Sequence, residues 1–202
     1  VLDTYDAALA LQPQHAQVRF ARAIHLLTMG MWETAWAEHE ARWQVADLPL
    51  TTTTLASPRW DGSPLAGRHI VLDHEQGLGD QIMCARFVRD LVAQGGVITL
   101  RCSPPLAELF AAMPGVRTVI TDTDPIPPHD VHASLMSLPW LLGLTSPAQL
   151  RGSAYLTAVG ECPATIRTRC DASTPRVGVV WAGNPQHRND ARRSIAPDLF
   201  LP

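Results

Sequence analysis

No stretch of this 202-residue chain is long and apolar enough to span a bilayer, which takes ~18–20 consecutive apolar residues. The longest candidate, Leu135 to Leu144, is interrupted by Ser137, Pro139 and Gly143, so no transmembrane segment is expected. Charge of one sign is also scarce: the formal net charge is −3, with no footprint for nucleic-acid binding. The four cysteines, Cys84, Cys102, Cys162 and Cys170, form no C-x-x-C pair, which argues against a zinc ribbon or a thioredoxin-type site. Cys84, on an expected helix, and Cys102, ending an expected strand, read as buried reduced thiols, and a reducing cytoplasm is preferred over a Cys162–Cys170 disulfide. No secretory signal is visible. The chain opens at Val1 rather than Met and stops abruptly at Pro202; it reads as a piece of something longer, so missing targeting signals carry little meaning.

What is present divides by periodicity. The size and apolar content suit one large domain or two smaller units. Residues 1 to about 46 are helical in pattern: Tyr5–Leu11 stops at Pro13, and Gln14–Met29 places Phe20, Ala23, Ile24 and Leu27 on one face. Gly30 punctuates, and Trp32–Trp43 aligns Trp32, Trp36 and Trp43 at helical spacing, where tryptophans read as packing residues rather than a ligand-stacking surface. Two antiparallel helices joined at a glycine, after a helix ending in proline, resemble tetratricopeptide repeats. Gly30 and Ala35 match that repeat's turn glycine and small packing residue. Arg42 departs from it, standing where a small residue is usual, and no closing proline follows. Such repeats bury their core by stacking, so more are expected before Val1.

The connector, Ala46 to Gly67, carries the Thr51–Thr54 run with Pro49, Pro58 and Pro64; within it Arg59-Trp60-Asp61-Gly62 reads as structured. From Ile70 the period changes. Strands are expected at Ile70–His74, Val97–Cys102, Val116–Thr121 and Val131–Leu135, alternating with helices Asp80–Ala93 and Leu106–Met113. Strands alternating with helices at this spacing predict an α/β fold with a parallel sheet and right-handed crossovers. After a less regular stretch from Thr145 to Thr174, Arg176–Ala182 reads as the first strand of a second α/β domain.

Two constellations carry chemistry. The first follows the first strand: Gly77-Leu78-Gly79-Asp80 opens a helix, as in open α/β sheets where ligands collect. Asp80 is either a helix N-cap or a carboxylate acting on a substrate, and Glu75 competes with it on the same turn. The third glycine of G-x-G-x-x-G is missing and no G-K-[ST] follows, which disfavours a nucleotide-dependent oxidoreductase and excludes a P-loop. The second is Gly183–Ser194, where His187, Arg188, Arg192, Arg193 and Ser194 crowd a loop beyond a strand; arginine suits phosphate by its forked donors. The competing reading is a solvated basic loop, with Asp190 paired to a neighbouring arginine. His129 and His132, three apart on a strand, face opposite sides and lack a third ligand, so no metal site is assigned.

The segments HEQGLGDQI, SLP at Ser137–Pro139, AYL at Ala154–Leu156 and GVVWAGNPQHRNDARRSI together resemble bacterial tetratricopeptide-repeat glycosyltransferases. Their catalytic part is similar to the ADP-heptose:lipopolysaccharide heptosyltransferases of glycosyltransferase family nine. The resemblance implies a GT-B architecture of two Rossmann-like domains with inverting, metal-independent sugar transfer and no cofactor. Residues 1–46 would form the helical repeat, 47–170 a Rossmann-like acceptor-side domain, and 171–202 the start of a truncated donor-binding domain. Asp80 would be the general base, on an acceptor-side turn of Glu75, Gln76, Gly77 and Gly79. Asn184, His187, Arg192, Arg193 and Ser194 would approach the donor diphosphate. The implied partners are a nucleotide-sugar donor and a glycan or protein acceptor, with a protein partner also expected on the helical repeat. This fragment alone is expected to be inactive, and the alternative is a repeat-based binding module with an idle α/β domain.

Overall fold

The computed structural model describes residues 1–46, 48, 50, 55–150, 152–170, 177–186 and 189–199. The chain separates into two compact units, Val1–Val159 and Gly160–Pro202. In the first, helices α1 (Leu2–Leu11), α2 (Ala16–Thr28) and α3 (Trp32–His39) are followed by a 3-10 turn at Glu40–Gln44. Pro13 stops α1, and Gly30, at φ +75, makes the left-handed turn that sends α3 back along α2. The buried seam of α2 is Ala23 and Leu26, while Ile24 is 43% exposed and lies off the expected stripe. Phe20 meets His39 across the hairpin with ring centroids 5.4 Å apart. Arg22 bridges α1 and α3 through ion pairs with Asp6 and Glu38.

Four parallel strands follow: β1 (His69–Asp73), β2 (Val97–Arg101), β3 (Val116–Ile120) and β4 (Val131–Ser134), in the order β3-β2-β1-β4. Ile70, Val71, Leu72 and Asp73 are all buried, because β1 is central and covered on both faces. The core gathers Ile70, Leu72, Ile98 and Leu100 with Cys84, Val88, Leu91 and Phe110 from the covering helices. Arg59-Trp60-Asp61-Gly62 is structured: Arg59 forms a parallel bridge with His132, and the backbone N–H of Trp60 donates to the His132 carbonyl at 2.7 Å. Gly62 has φ +89, and a Cβ there would lie 2.7 Å from the Leu141 carbonyl oxygen, so only glycine suits that corner.

The expected helix Asp80–Ala93 is instead two, α4 (Leu78–Ala85) and α5 (Val88–Ala93). Tyr155, of the A-Y-L segment, donates its hydroxyl to the Ile82 carbonyl at 3.0 Å, a group that would accept the Arg86 N–H in an unbroken helix. Beyond it Phe87 N–H bonds to Cys84, three residues back. Helix α6 (Ala107–Ala111) joins β2 to β3, and α7 (Leu138–Leu141) carries Pro139 in its first turn, where a missing N–H costs nothing. No helix among the described residues is long and apolar enough to cross a membrane.

The second unit corrects an expectation. Helix α8 (Ala164–Cys170) and the short α9 (Asp190–Arg193) form, but the described part of the expected strand, residues 177–182, is not a strand. Val177 and Val180 are 83% and 92% exposed. An isolated extended segment cannot satisfy its backbone groups by itself, and no partner strand is present among the described residues of this unit. Arg176 lies outside the described residues.

Candidate functional site

Strand order places β2 and β3 on one side of β1 and β4 on the other, so the carboxyl ends of β1 and β4 flank the switch point where open sheets bind ligands. A cavity of about 480 Å³ opens there. Asp73, His74 and Glu75 from the end of β1 line it with Ser134 and Ser137 after β4, Glu40 and Trp43 from the helical segment, and Arg59 and Trp60 from the connector.

Arg42 organises one wall. Fully buried, it donates from Nε to Glu75 Oε1 at 2.7 Å and from Nη2 to Glu75 Oε2 at 3.2 Å and Ser137 Oγ at 2.8 Å. Its Nη1 pairs with Glu40, and Ser137 Oγ also donates to Glu40. The residue that departs from the repeat pattern thus ties the helical segment to the segments that follow β1 and β4. Burial raises the Glu75 pKa, opposed by the Arg42 charge and hydrogen bonds and by the Ser134 hydroxyl. Burial, then the Arg42 charge, lowers His39 to about 3, so its imidazole is neutral at physiological pH.

A second network holds the neighbouring strand ends. Arg101 bonds Asp73 at 2.9 Å and Asp122 at 2.7 Å, and Asp122 accepts from His74 Nε2 at 3.0 Å. Gln81 clamps the glycine turn, donating from Nε2 to the Gln76 carbonyl and to Ser103 Oγ and accepting the Ser103 N–H.

Asp80 is not an N-cap. Gly77 occupies that position, at φ −64 and ψ 171, and Asp80 sits in the first turn of α4, where the helix dipole favours a carboxylate. Asp80 makes no hydrogen bond or ion pair among the described residues, and it lies outside the cavity lining, which Glu75 joins. Neither Gly77 nor Gly79 has positive φ, and a Cβ at Gly79 would meet nothing within 4 Å. The turn is therefore not the strained kind that needs glycine for its backbone.

In the second unit, Asn184 Oδ1 accepts the Gln186 N–H, and Ser194 Oγ accepts the Gly183 N–H while donating to Asp190 at 2.6 Å. Asp190 therefore engages Ser194. A Cβ at Gly183 would lie 2.7 Å from the Arg193 guanidinium, which packs over it. Arg192 and Arg193 are exposed; His187 and Arg188 lie outside the described residues. His129 and His132 bond the Pro127 carbonyl and Ser57 respectively, and no cluster of three metal-ligating side chains occurs among the described residues.

Of the expected site residues, then, Glu75 reaches the cavity, with Gln76, Gly77, Gly79 and Asp80 on the turn beside it. Sequence reasoning missed Glu40, Arg59, His74, His132 and Trp140. The available signals were the misfit of Arg42 in the repeat and the structured look of the Arg59–Gly62 segment.

Fold and cavity define a parallel α/β protein with a cavity at its switch point, walled in part by the 3-10 turn Glu40–Gln44 that follows the helices. No family model matches the chain, and no solved structure matches it. Among curated proteins it is similar to Protein FlbA of Caulobacter vibrioides (strain ATCC 19089 / CIP 103742 / CB 15), at 34% identity over 98 residues. That match covers 47% of this chain and 16% of FlbA, so the chain spans a small part of its relative's length.

Proposed function

We propose that the chain is the acceptor-side part of an inverting, metal-independent glycosyltransferase of GT-B architecture, with tetratricopeptide-like helices at its amino end. It moves a sugar from a nucleotide-sugar to a glycan or protein acceptor. The observation that carries this reading is the glycine turn beside the switch-point cavity. Gly79 is demanded neither by its backbone angles nor by its neighbours, since a Cβ there meets nothing within 4 Å; a close-approaching ligand explains the small residue.

In this reaction the acceptor hydroxyl attacks the anomeric carbon as Asp80 takes its proton, and the nucleoside diphosphate leaves from the opposite face. Asp80 suits the part because no group among the described residues engages its carboxylate by hydrogen bond or ion pair. Glu75 suits it less, being locked by Arg42 at 2.7 Å. Arg192 and Arg193 supply positive charge to the departing diphosphate. Ser194 and Asn184 shape their loop through the hydrogen bonds given above.

In the full-length protein, Asp80→Asn removes most transfer from a nucleotide-sugar panel, read by liquid chromatography, and leaves donor affinity nearly intact. Unchanged turnover reassigns the base. Replacing Arg192 and Arg193 by Ala weakens nucleoside-diphosphate binding in calorimetry; equal affinity makes that loop a plain surface. If no nucleotide-sugar is bound or turned over, the second reading, a helical binding module with an idle α/β part, replaces the first.

A further inference from the structure

The cavity at the β1–β4 crevice carries a definite chemical preference. Its lining sets Glu40, Asp61, Asp73 and Glu75 against one arginine, Arg59. The guanidiniums behind the wall are already engaged, Arg42 by Glu75 and Glu40, Arg101 by Asp73 and Asp122. Those carboxylates and guanidiniums offset one another and leave no cationic cluster in the described lining to hold a diphosphate, and carboxylates accept hydrogen bonds from hydroxyls.

The indoles differ in availability. Trp60 is 3% exposed, with its N–H on the Ser63 carbonyl. Trp43 is stacked by the guanidiniums of Arg42 and Arg59, 4.4 and 4.6 Å from its ring centre. Trp140 lines the same cavity and is 46% exposed, so its ring is offered to a ligand.

His74 adds a directional group. It lines the cavity, is 5% exposed, and bonds Asp122 through Nε2. The Asp122 carboxylate only accepts, so Nε2 carries a hydrogen toward it and Nδ1 is the ring atom left to accept one. That Nδ1 is buried with no hydrogen-bond partner among the described residues, an expensive arrangement unless a donor arrives.

We propose that this cavity is a subsite for a neutral pyranose ring, which stacks on Trp140 and donates hydroxyl hydrogen bonds to His74 Nδ1 and the lining carboxylates. The volume of about 480 Å³ lies in the range of about 300–1,000 Å³ usual for small ligands. The proposal rests on the acceptor-side reading and deepens it: the acceptor presents an uncharged sugar rather than an acidic one. His74, held by Asp122 and Arg101, positions that sugar beside the Asp80 turn.

Saturation-transfer NMR on the full-length protein tests it, with methyl glycosides of glucose, galactose and mannose and, in a separate arm, inorganic pyrophosphate. At least one glycoside gives a saturable signal. Trp140→Ala weakens it at least about tenfold, as loss of a stacking ring does, and Trp140→Phe restores most of it. His74→Gln, which keeps a donor toward Asp122 but removes the Nδ1 acceptor, weakens it too. No signal from any glycoside, a signal indifferent to Trp140→Ala, or displacement by pyrophosphate overturns the proposal. The readout needs no sugar donor, so failure of transfer in the Asp80 experiment and failure of this subsite are separate results.

Discussion

Replacing Arg42 by Met leaves Glu75 buried without its guanidinium partner. Arg42 is 0% exposed and Glu75 2%, and two hydrogen bonds join them, with further bonds to Ser137 and Glu40. Removing one side of a buried pair costs about 3–5 kcal/mol, a large share of the about 5–15 kcal/mol typical of a folded domain. With a urea dependence of about 2 kcal/mol per molar, the midpoint falls by about 2 M. The six tryptophans, Trp43 among them, make fluorescence the convenient probe.

The loss depends on pH. Burial holds Glu75 above its ordinary pKa against Arg42, and Arg42 helps burial hold His39 at about 3. Without Arg42 both groups bind protons more readily in the folded state. A folded pKa above the unfolded value gives stability that is present below the unfolded value and lost as pH rises through the folded one. The deficit relative to wild type is therefore smaller at about pH 4.5 than at about pH 7.5. The double variant Arg42→Met with Glu75→Leu recovers at least about 1 kcal/mol over Arg42→Met, because no unpaired charge remains. A single variant within about 1 kcal/mol of wild type, a deficit flat in pH, or strictly additive effects would refute the reasoning.

Gly79→Ala should leave the urea midpoint unchanged or raise it by up to about 1 kcal/mol of stability, since alanine is the better helix former and its methyl meets nothing. Transfer by the full-length protein should nonetheless fall; unchanged turnover would show that no ligand approaches there. With iodoacetamide at about pH 8, Cys162, which is exposed, is alkylated in the native protein. Cys84 and Cys102 are buried, with thiols pushed up to about 12 and about 11 by burial first. They should label only after denaturation, as read by peptide mass spectrometry, and rapid native labelling of Cys84 would contradict that burial.

Local pattern carried the parallel sheet. The four runs beginning near Ile70, Val97, Val116 and Val131 became β1 to β4 within a residue at each end, because short β-branched segments between glycine or proline breaks have little else to become. Likewise the Pro13 and Gly30 breaks between helices, and the buried thiols of Cys84 and Cys102, follow from neighbours in the chain. Where long-range contacts compete with local preference, pattern was not enough. Just before the break between α4 and α5 the Ile82 carbonyl accepts the hydroxyl of Tyr155, seventy-three positions away. The apolar run at 177–182 needs partner strands that its own sequence cannot supply.

The site divides in the same way. Gly77, Gly79 and Asp80 announce themselves by spacing along one turn. The cavity does not, because its walls come from Glu40, Arg59, His74, Ser137 and Trp140, brought together by the β3-β2-β1-β4 order and by the buried grip of Arg42 on Glu75. Chain order contains no measure of that convergence. It arises when chain segments far apart in sequence fold together and the buried Arg42 finds its partners in Glu75 and Ser137, on other elements.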